Sequence, residues 1–173
     1  MDENTILIDH KNSYSYPSSV KLENCDGWNI LHWNINGLKN KLDNVKILLG
    51  HLEFNGVQVD AILFCETLLN EEDIDPMIGD YNCESFRRKT IGGGISIYLR
   101  PEIKYSENKN LQKIITEPNE SLFLEVENAN IRKKKKILIG EIYRRPVGSV
   151  NKFIKNIETL ASTIRNKYSE VYI

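Results

Sequence analysis

Apolar and polar positions change rhythm along this chain. Trp28-Asn29-Ile30-Leu31-His32-Trp33 alternates and is bulky, the period-two habit of a strand with two unlike faces. Asn34-Ile35-Asn36-Gly37 follows as a turn. From Lys39 to Phe54, Leu42, Val45, Leu48, Leu49 and Leu52 recur at three-to-four spacing, which predicts an amphipathic helix with Lys39, Lys41, Asp43 and Lys46 outward. Val59 to Cys65 is short and nearly continuously apolar, as a strand covered on both faces should be. Leu68 to Asp80 is acidic and irregular and reads as a long surface loop. Tyr81–Phe86, Gly94–Leu99, Leu111–Thr116, Ser121–Val126 and Lys136–Tyr143 read as further strands. Val150, Phe153, Ile154, Ile157, Leu160 and Ile164 share one helical face, and Glu170 to Ile173 begins another strand. The order β-α-β, several strands, β-α-β predicts an α/β fold with helices packed on sheet faces. Residues 1–27 are polar and aperiodic and are expected to form a flexible leader, leaving 28–173 as the folded part.

Composition narrows the class. The 173 residues are 40% hydrophobic and 27% charged, as in ordinary globular domains, with formal net charge −1. A polyanion partner would therefore have to meet a local basic patch. Cys25, Cys65 and Cys83 are odd in number and none has CxxC spacing, so neither a disulfide framework nor a zinc finger is supported. That usage suits a reducing, intracellular compartment, cytoplasm or nucleus. The longest apolar run near the N-terminus is Ile6-Leu7-Ile8, which is no signal peptide, and no stretch is long enough to span a membrane.

Three polar residues follow apolar strands directly: Asn34, Glu66 and Tyr143. In sheets connected by helices, ligands bind beyond the carboxyl ends of the strands, so these three suggest one shared site. Glu66 could hold a hard cation such as Mg²⁺, or be a solvated loop glutamate. Asn34 could orient a carboxylate or contact a phosphate, or simply serve its turn. Tyr143 with Arg144 and Arg145 could meet a phosphodiester, or be an aromatic strand end before a basic turn. Gly92-Gly93-Gly94 lacks the Lys-Ser/Thr of a phosphate-cradling loop and precedes a strand, so it reads as a positive-φ turn or close backbone approach. Lys133 to Lys136 reads as a solvated hairpin tip, with DNA backbone contact as the minority alternative. His10, His32 and His51 are scattered and support no hydrolase triad.

Taken in order, Trp33-Asn34-Ile35-Asn36-Gly37-Leu38, Phe64-Cys65-Glu66-Thr67, Gly92-Gly93-Gly94-Ile95-Ser96-Ile97-Tyr98 and Ile142-Tyr143-Arg144-Arg145-Pro146 resemble the endonuclease/exonuclease/phosphatase superfamily. Within it they are similar to the endonuclease domain of non-LTR (LINE-like) retrotransposons, over Trp28 to Ile173. The resemblance implies a four-layer α/β sandwich and Mg²⁺-dependent phosphodiester hydrolysis, with Mn²⁺ as the alternative ion. It implies DNA as the partner, nicked to prime synthesis by a reverse transcriptase domain on the same polypeptide. By motif position, Glu66 matches the metal-binding glutamate, Asn34 the asparagine supporting metal and phosphate, and Tyr143 the tyrosine near the scissile phosphate. Arg88, Arg144 and Arg145 are candidate nucleic-acid contacts, and as a binding module the chain would hold nucleic acid through these with Arg87 and Lys89. Asn36 stands where some relatives carry an acidic residue. The family's Gly-Asp-Phe-Asn motif would follow a strand like Glu170–Ile173, and the chain ends there. The expectation is therefore a partial four-layer sandwich with its C-terminal half missing, including the second sheet, and with an apolar face and strand edge uncovered. On that expectation the alternatives are an inactive remnant, a nucleic-acid-binding module or a phosphatase branch of the superfamily.

Overall fold

Burial of two unlike strand faces requires a layer on each side, and three apolar clusters fill the spaces between the layers of this chain. The computed structural model describes residues 27–89, 92–127 and 136–173. In chain order the elements are β1 (Ile30–Asn34), α1 (Leu38–Phe54), β2 (Ala61–Cys65), β3 (Asn82–Phe86), β4 (Ile95–Leu99), β5 (Tyr105–Glu107), α2 (Lys109–Gln112), β6 (Glu120–Val126), β7 (Ile137–Tyr143), α3 (Val150–Ile164) and β8 (Glu170–Tyr172). One four-stranded sheet has the order β1-β2-β4-β3 and the other β5-β6-β7-β8. β1 runs parallel to β2 and β7 parallel to β8, each pair joined across its helix, and the remaining pairings are antiparallel.

The period-two pattern sorts the faces. Leu31, Trp33, Ile62, Phe64 and Tyr98 pack under Leu38, Val45 and Leu48 of α1. Ala61, Leu63, Ile95, Ile97 and Leu99 point the other way, against Leu122, Leu124, Val126, Ile137 and Ile139 of the second sheet. Phe123 and Leu138 on the far face of that sheet pack with Ile157 and Leu160 of α3. The result is helix, sheet, sheet, helix. β2 is buried at every residue, as its continuous apolar run required.

Three expectations need correction. The second sheet is built by this chain, from β5 to β8, because the inward residues of β6 and β7 complete the face left open by β2 and β4. The apolar faces are accordingly covered, one by α1 and the other by α3. Leu111–Thr116 is not a strand. Asn108 accepts the Leu111 N–H at 3.1 Å and starts α2, and Leu111 and Ile115, four residues apart, turn to the same cluster. The short strand β5, pairing with β6, escaped the sequence reading because Tyr105-Ser106-Glu107 offers a single apolar residue. The leader's residues 1–26 and the basic turn at 128–135 lie outside the described residues.

Candidate active site

The carboxyl ends of β1, β2 and β7 come together at one end of the sandwich. Parallel pairing sets Asn34 beside Cys65, one residue before Glu66. Tyr143, at the end of β7 in the other sheet, donates its hydroxyl hydrogen to Glu66 Oε1. Two of the three predicted residues thus meet across the sheet interface from positions 77 residues apart. Asn34 is exposed on the neighbouring strand end.

Local backbone builds this site. Glu66 has φ 54°, a left-handed conformation that costs a residue with a side chain about 1–3 kcal/mol and persists only where its surroundings enforce it. Those surroundings are a hydrogen-bonded splice of three loops. Ile35, Gly37 and Leu38 donate their N–H groups to the carbonyls of Cys65, Glu66 and Thr67 at 3.0, 2.8 and 3.0 Å. On the other side, Thr67 and Leu68 donate to the carbonyls of Gly94 and Gly93 at 3.2 and 2.9 Å. Gly37, at φ 99°, makes the sharp entry into α1 that this splice demands.

The glycine run has a specific reason. Glu120, 1% exposed at the start of β6, accepts the Gly94 N–H at 2.6 Å. A Cβ on Gly93 would lie 2.2 Å from Glu120 Oε1, and one on Gly94 2.5 Å from Thr67 Oγ1. Both readings of this run hold, since Gly92, Gly93 and Gly94 have φ of 99°, 76° and 91° and the backbone approaches its neighbours closely. Arg88 closes the clamp, its guanidinium 3.1 Å from Glu120 Oε1 and its side chain only 18% exposed. Arg88 is therefore committed to Glu120. Arg87 is likewise turned inward, 2.6 Å from Asp75. Arg144 and Arg145 are half-buried at the end of β7, with Arg144 donating to the Arg145 carbonyl at 3.3 Å.

Below Glu66 the interior turns polar. His32, Cys65 and Glu141 point into the space between the sheets, with His32 Nε2 3.1 Å from Glu141 Oε2. Burial and the hydrogen bond to the Glu66 carboxylate push the Tyr143 phenol up to about 12, so it stays protonated and donates. Burial, then the charges of Glu141 and Glu66, push the Cys65 thiol up to about 12. The hydrogen bond to Glu141, outweighing burial, raises the pKa of His32.

Glu120, Glu141 and His32 were missed as site residues in the sequence. A signal existed. Glu120 shares a face with Leu122, Leu124 and Val126, and Glu141 with Ile137 and Ile139, so each carboxylate occupies an inward position of an otherwise apolar alternation.

Among solved structures, TDP2 from D. rerio complexed with single-strand DNA product superimposes with TM-score 0.56 at 15% identity, over 83% of this chain and 57% of that one. The endonuclease domain of TRAS1, a telomere-specific non-LTR retrotransposon, gives TM-score 0.53 at 10% identity, over 82% and 56%. This chain carries the endonuclease/exonuclease/phosphatase fold. The human Nocturnin catalytic domain with bound sulfate anion has it too, at TM-score 0.51 and 12% identity, over 82% and 61%. The chain thus spans between 56% and 61% of the length of these endonuclease/exonuclease/phosphatase structures. No family model matches the sequence, and no curated protein matches it. Among the described residues no helix is long and apolar enough to cross a membrane.

Proposed function

We propose that this chain forms the metal and phosphate side of a DNA phosphodiesterase site, of the type that nicks target DNA in a non-LTR retrotransposon. Glu66 is its cation ligand, with Asn34 and Tyr143 beside it. The observation that carries the reading is the Tyr143–Glu66 hydrogen bond, which joins the strand ends of two sheets at a backbone held with positive φ. Strained backbone maintained by a dense set of hydrogen bonds is characteristic of functional sites. The fold is shared with a retrotransposon endonuclease domain and with a protein solved with single-strand DNA product, which favours a nucleic-acid substrate.

The donors fit the group the fold implies. A half-buried carboxylate and an exposed amide oxygen on adjacent strand ends offer hard ligands at a half-open position, which suits Mg²⁺ or Mn²⁺ retaining several waters. When bound, such a cation neutralises charge that builds on the phosphate and leaving oxygen. The chain's own contribution is positional. Tyr143, kept protonated, holds one oxygen of Glu66 and leaves the other for the cation. Asn34 can orient the carboxylate or donate to a phosphate oxygen. Arg144 and Arg145 bring positive charge to the same strand end, where a nucleic-acid backbone would pass. A reverse transcriptase domain on the same polypeptide would use the 3′ hydroxyl exposed by the nick.

Plasmid nicking in Mg²⁺ by a polypeptide that contains this chain together with the rest of the site, with and without chelator, tests the reading. Tyr143→Phe should lower the rate by about 10–100-fold, the usual cost of losing a group that orients a metal ligand, and Glu66→Gln by at least as much. Nicking that survives chelation, or that Glu66→Gln leaves intact, would sink the proposal. The Arg144-Arg145 pair favours one second reading, a binding module without hydrolysis. Its mark is steeply salt-dependent DNA affinity that is the same in chelator and in Mg²⁺, with no nicked product.

A further inference from the structure

A hard-cation site at Glu66 leaves the polar layer beneath it unexplained. His32 of β1, Cys65 of β2 and Glu141 of β7 place an imidazole nitrogen, a thiol sulfur and a carboxylate oxygen within 4.8 Å of one another. The three come from both sheets, and each sits on the inward face of its strand. Glu141 is 4% exposed and Cys65 5% exposed, so neither is an ordinary surface group. A carboxylate buried in an apolar interior needs a positive partner beside it. Protonated His32 is one such partner, 3.1 Å from Glu141; a cation held by all three groups is the other, and it alone gives the thiol sulfur a role.

We infer that His32, Cys65 and Glu141 form a binding site for a borderline-soft divalent cation of the zinc class. The reasoning is one of donor chemistry and size. Nitrogen, sulfur and oxygen donors together select Zn²⁺ over Mg²⁺, which avoids sulfur. Ligands at roughly 2.0–2.3 Å from a tetrahedral ion lie about 3.3–3.8 Å apart, and the three atoms here already lie within 4.8 Å of one another. Three protein ligands leave a fourth position for water, and the His32 side chain, 39% exposed, marks the route by which ion and water enter. On binding, the Cys65 S–H bond and the N–H bond of the ligating His32 nitrogen break, both protons leave (to solvent, or for a neutral imidazole to its other ring nitrogen), and the thiolate sulfur and imidazole nitrogen bond to the metal. The ion takes the place of the His32–Glu141 contact and ties β1 and β2 to β7, pinning the two sheets just below the Glu66–Tyr143 bond. The site is independent of the proposed nuclease reading, because none of its ligands is Glu66, Asn34 or Tyr143.

Cobalt is the direct probe. The metal-free 173-residue chain, titrated with Co²⁺ alone, should develop a sulfur-to-metal charge-transfer band that Zn²⁺ bleaches and excess Mg²⁺ does not. Cys65→Ser should abolish the band, and Glu141→Gln or His32→Gln should weaken Co²⁺ binding at least tenfold. Glu66→Gln should keep the band, which separates this site from the hard-cation site and lets either proposal fail alone. Cys83→Ser and Cys25→Ser should keep it as well. Because substituting a buried residue can impair folding, a second measurement uses the half-exposed ligand. Zn²⁺ should raise the thermal midpoint of the unmutated chain and not that of His32→Gln. Absence of a charge-transfer band, its persistence in Cys65→Ser, or an equal Zn²⁺ response in His32→Gln overturns the inference.

Discussion

Replacing Glu120 should unlock the loop splice that holds Glu66. The carboxylate is 1% exposed, takes the Gly94 N–H at 2.6 Å and faces the Arg88 guanidinium at 3.1 Å. Glu120→Ala leaves that N–H without its acceptor and the guanidinium without its counter-charge. Removing one partner of a fully buried pair costs about 3–5 kcal/mol. Arg88 retains some solvent, its side chain being 18% exposed, which reduces the loss to about 3 kcal/mol. With a urea dependence of about 1–3 kcal/mol per molar, the unfolding midpoint should fall by about 1–3 M. Arg88→Met isolates the pair. The double variant Glu120→Ala/Arg88→Met should be more stable than the sum of the single losses predicts, by about 1–3 kcal/mol. Because Gly93 and Gly94 carry the carbonyls that hold Leu68 and Thr67, the proposed metal-dependent nicking should fall along with stability. A Glu120→Ala midpoint within about 0.5 kcal/mol of the unmutated chain, or additive single effects, would refute the clamp.

Other expectations follow from the same structure. Burial would raise the pKa of Glu125, but hydrogen bonds from Lys136, Tyr168 and Asn108 outweigh it and hold the carboxyl at about 2. With the folded value depressed from 4.5, this group stabilises the fold above pH 4.5 and the contribution is lost as pH falls towards about 2. The amount is at most roughly 3 kcal/mol, and Glu125→Gln should flatten urea midpoints measured across that acid window. Gly140→Ala would set a Cβ 2.5 Å from Phe123 Cδ1 under α3, and its thermal denaturation should show a loss of about 1–3 kcal/mol. Leu160→Ala, in the same layer at 3% exposure, should cost about 2–5 kcal/mol by chemical denaturation. Tyr143→Phe should separate the proposed site role from stability, lowering the proposed nicking while changing stability by no more than about 1.5 kcal/mol, the worth of one hydrogen bond.

The elements of this fold differ in how far the sequence alone determined them. α1 and α3 were legible because their apolar residues repeat every three to four positions, a property of the helix itself. β2 was legible because a strand covered on both faces has no polar position to spare. Asn34, Glu66 and Tyr143 could be picked out for the same local reason, as the first polar residues after such runs. Only tertiary structure decided what lies opposite what. That Tyr143 reaches Glu66, that Glu141 meets His32 from 109 residues away, and that Glu120 grips Gly94 all follow from packing one sheet on the other. Tertiary context also turned Leu111–Thr116 from an expected strand into α2 and its turn, and supplied the second sheet from this chain. Periodicity states which face of a segment is apolar. Which other face will cover it depends on burying all of them at once, and that condition exists only in the folded chain.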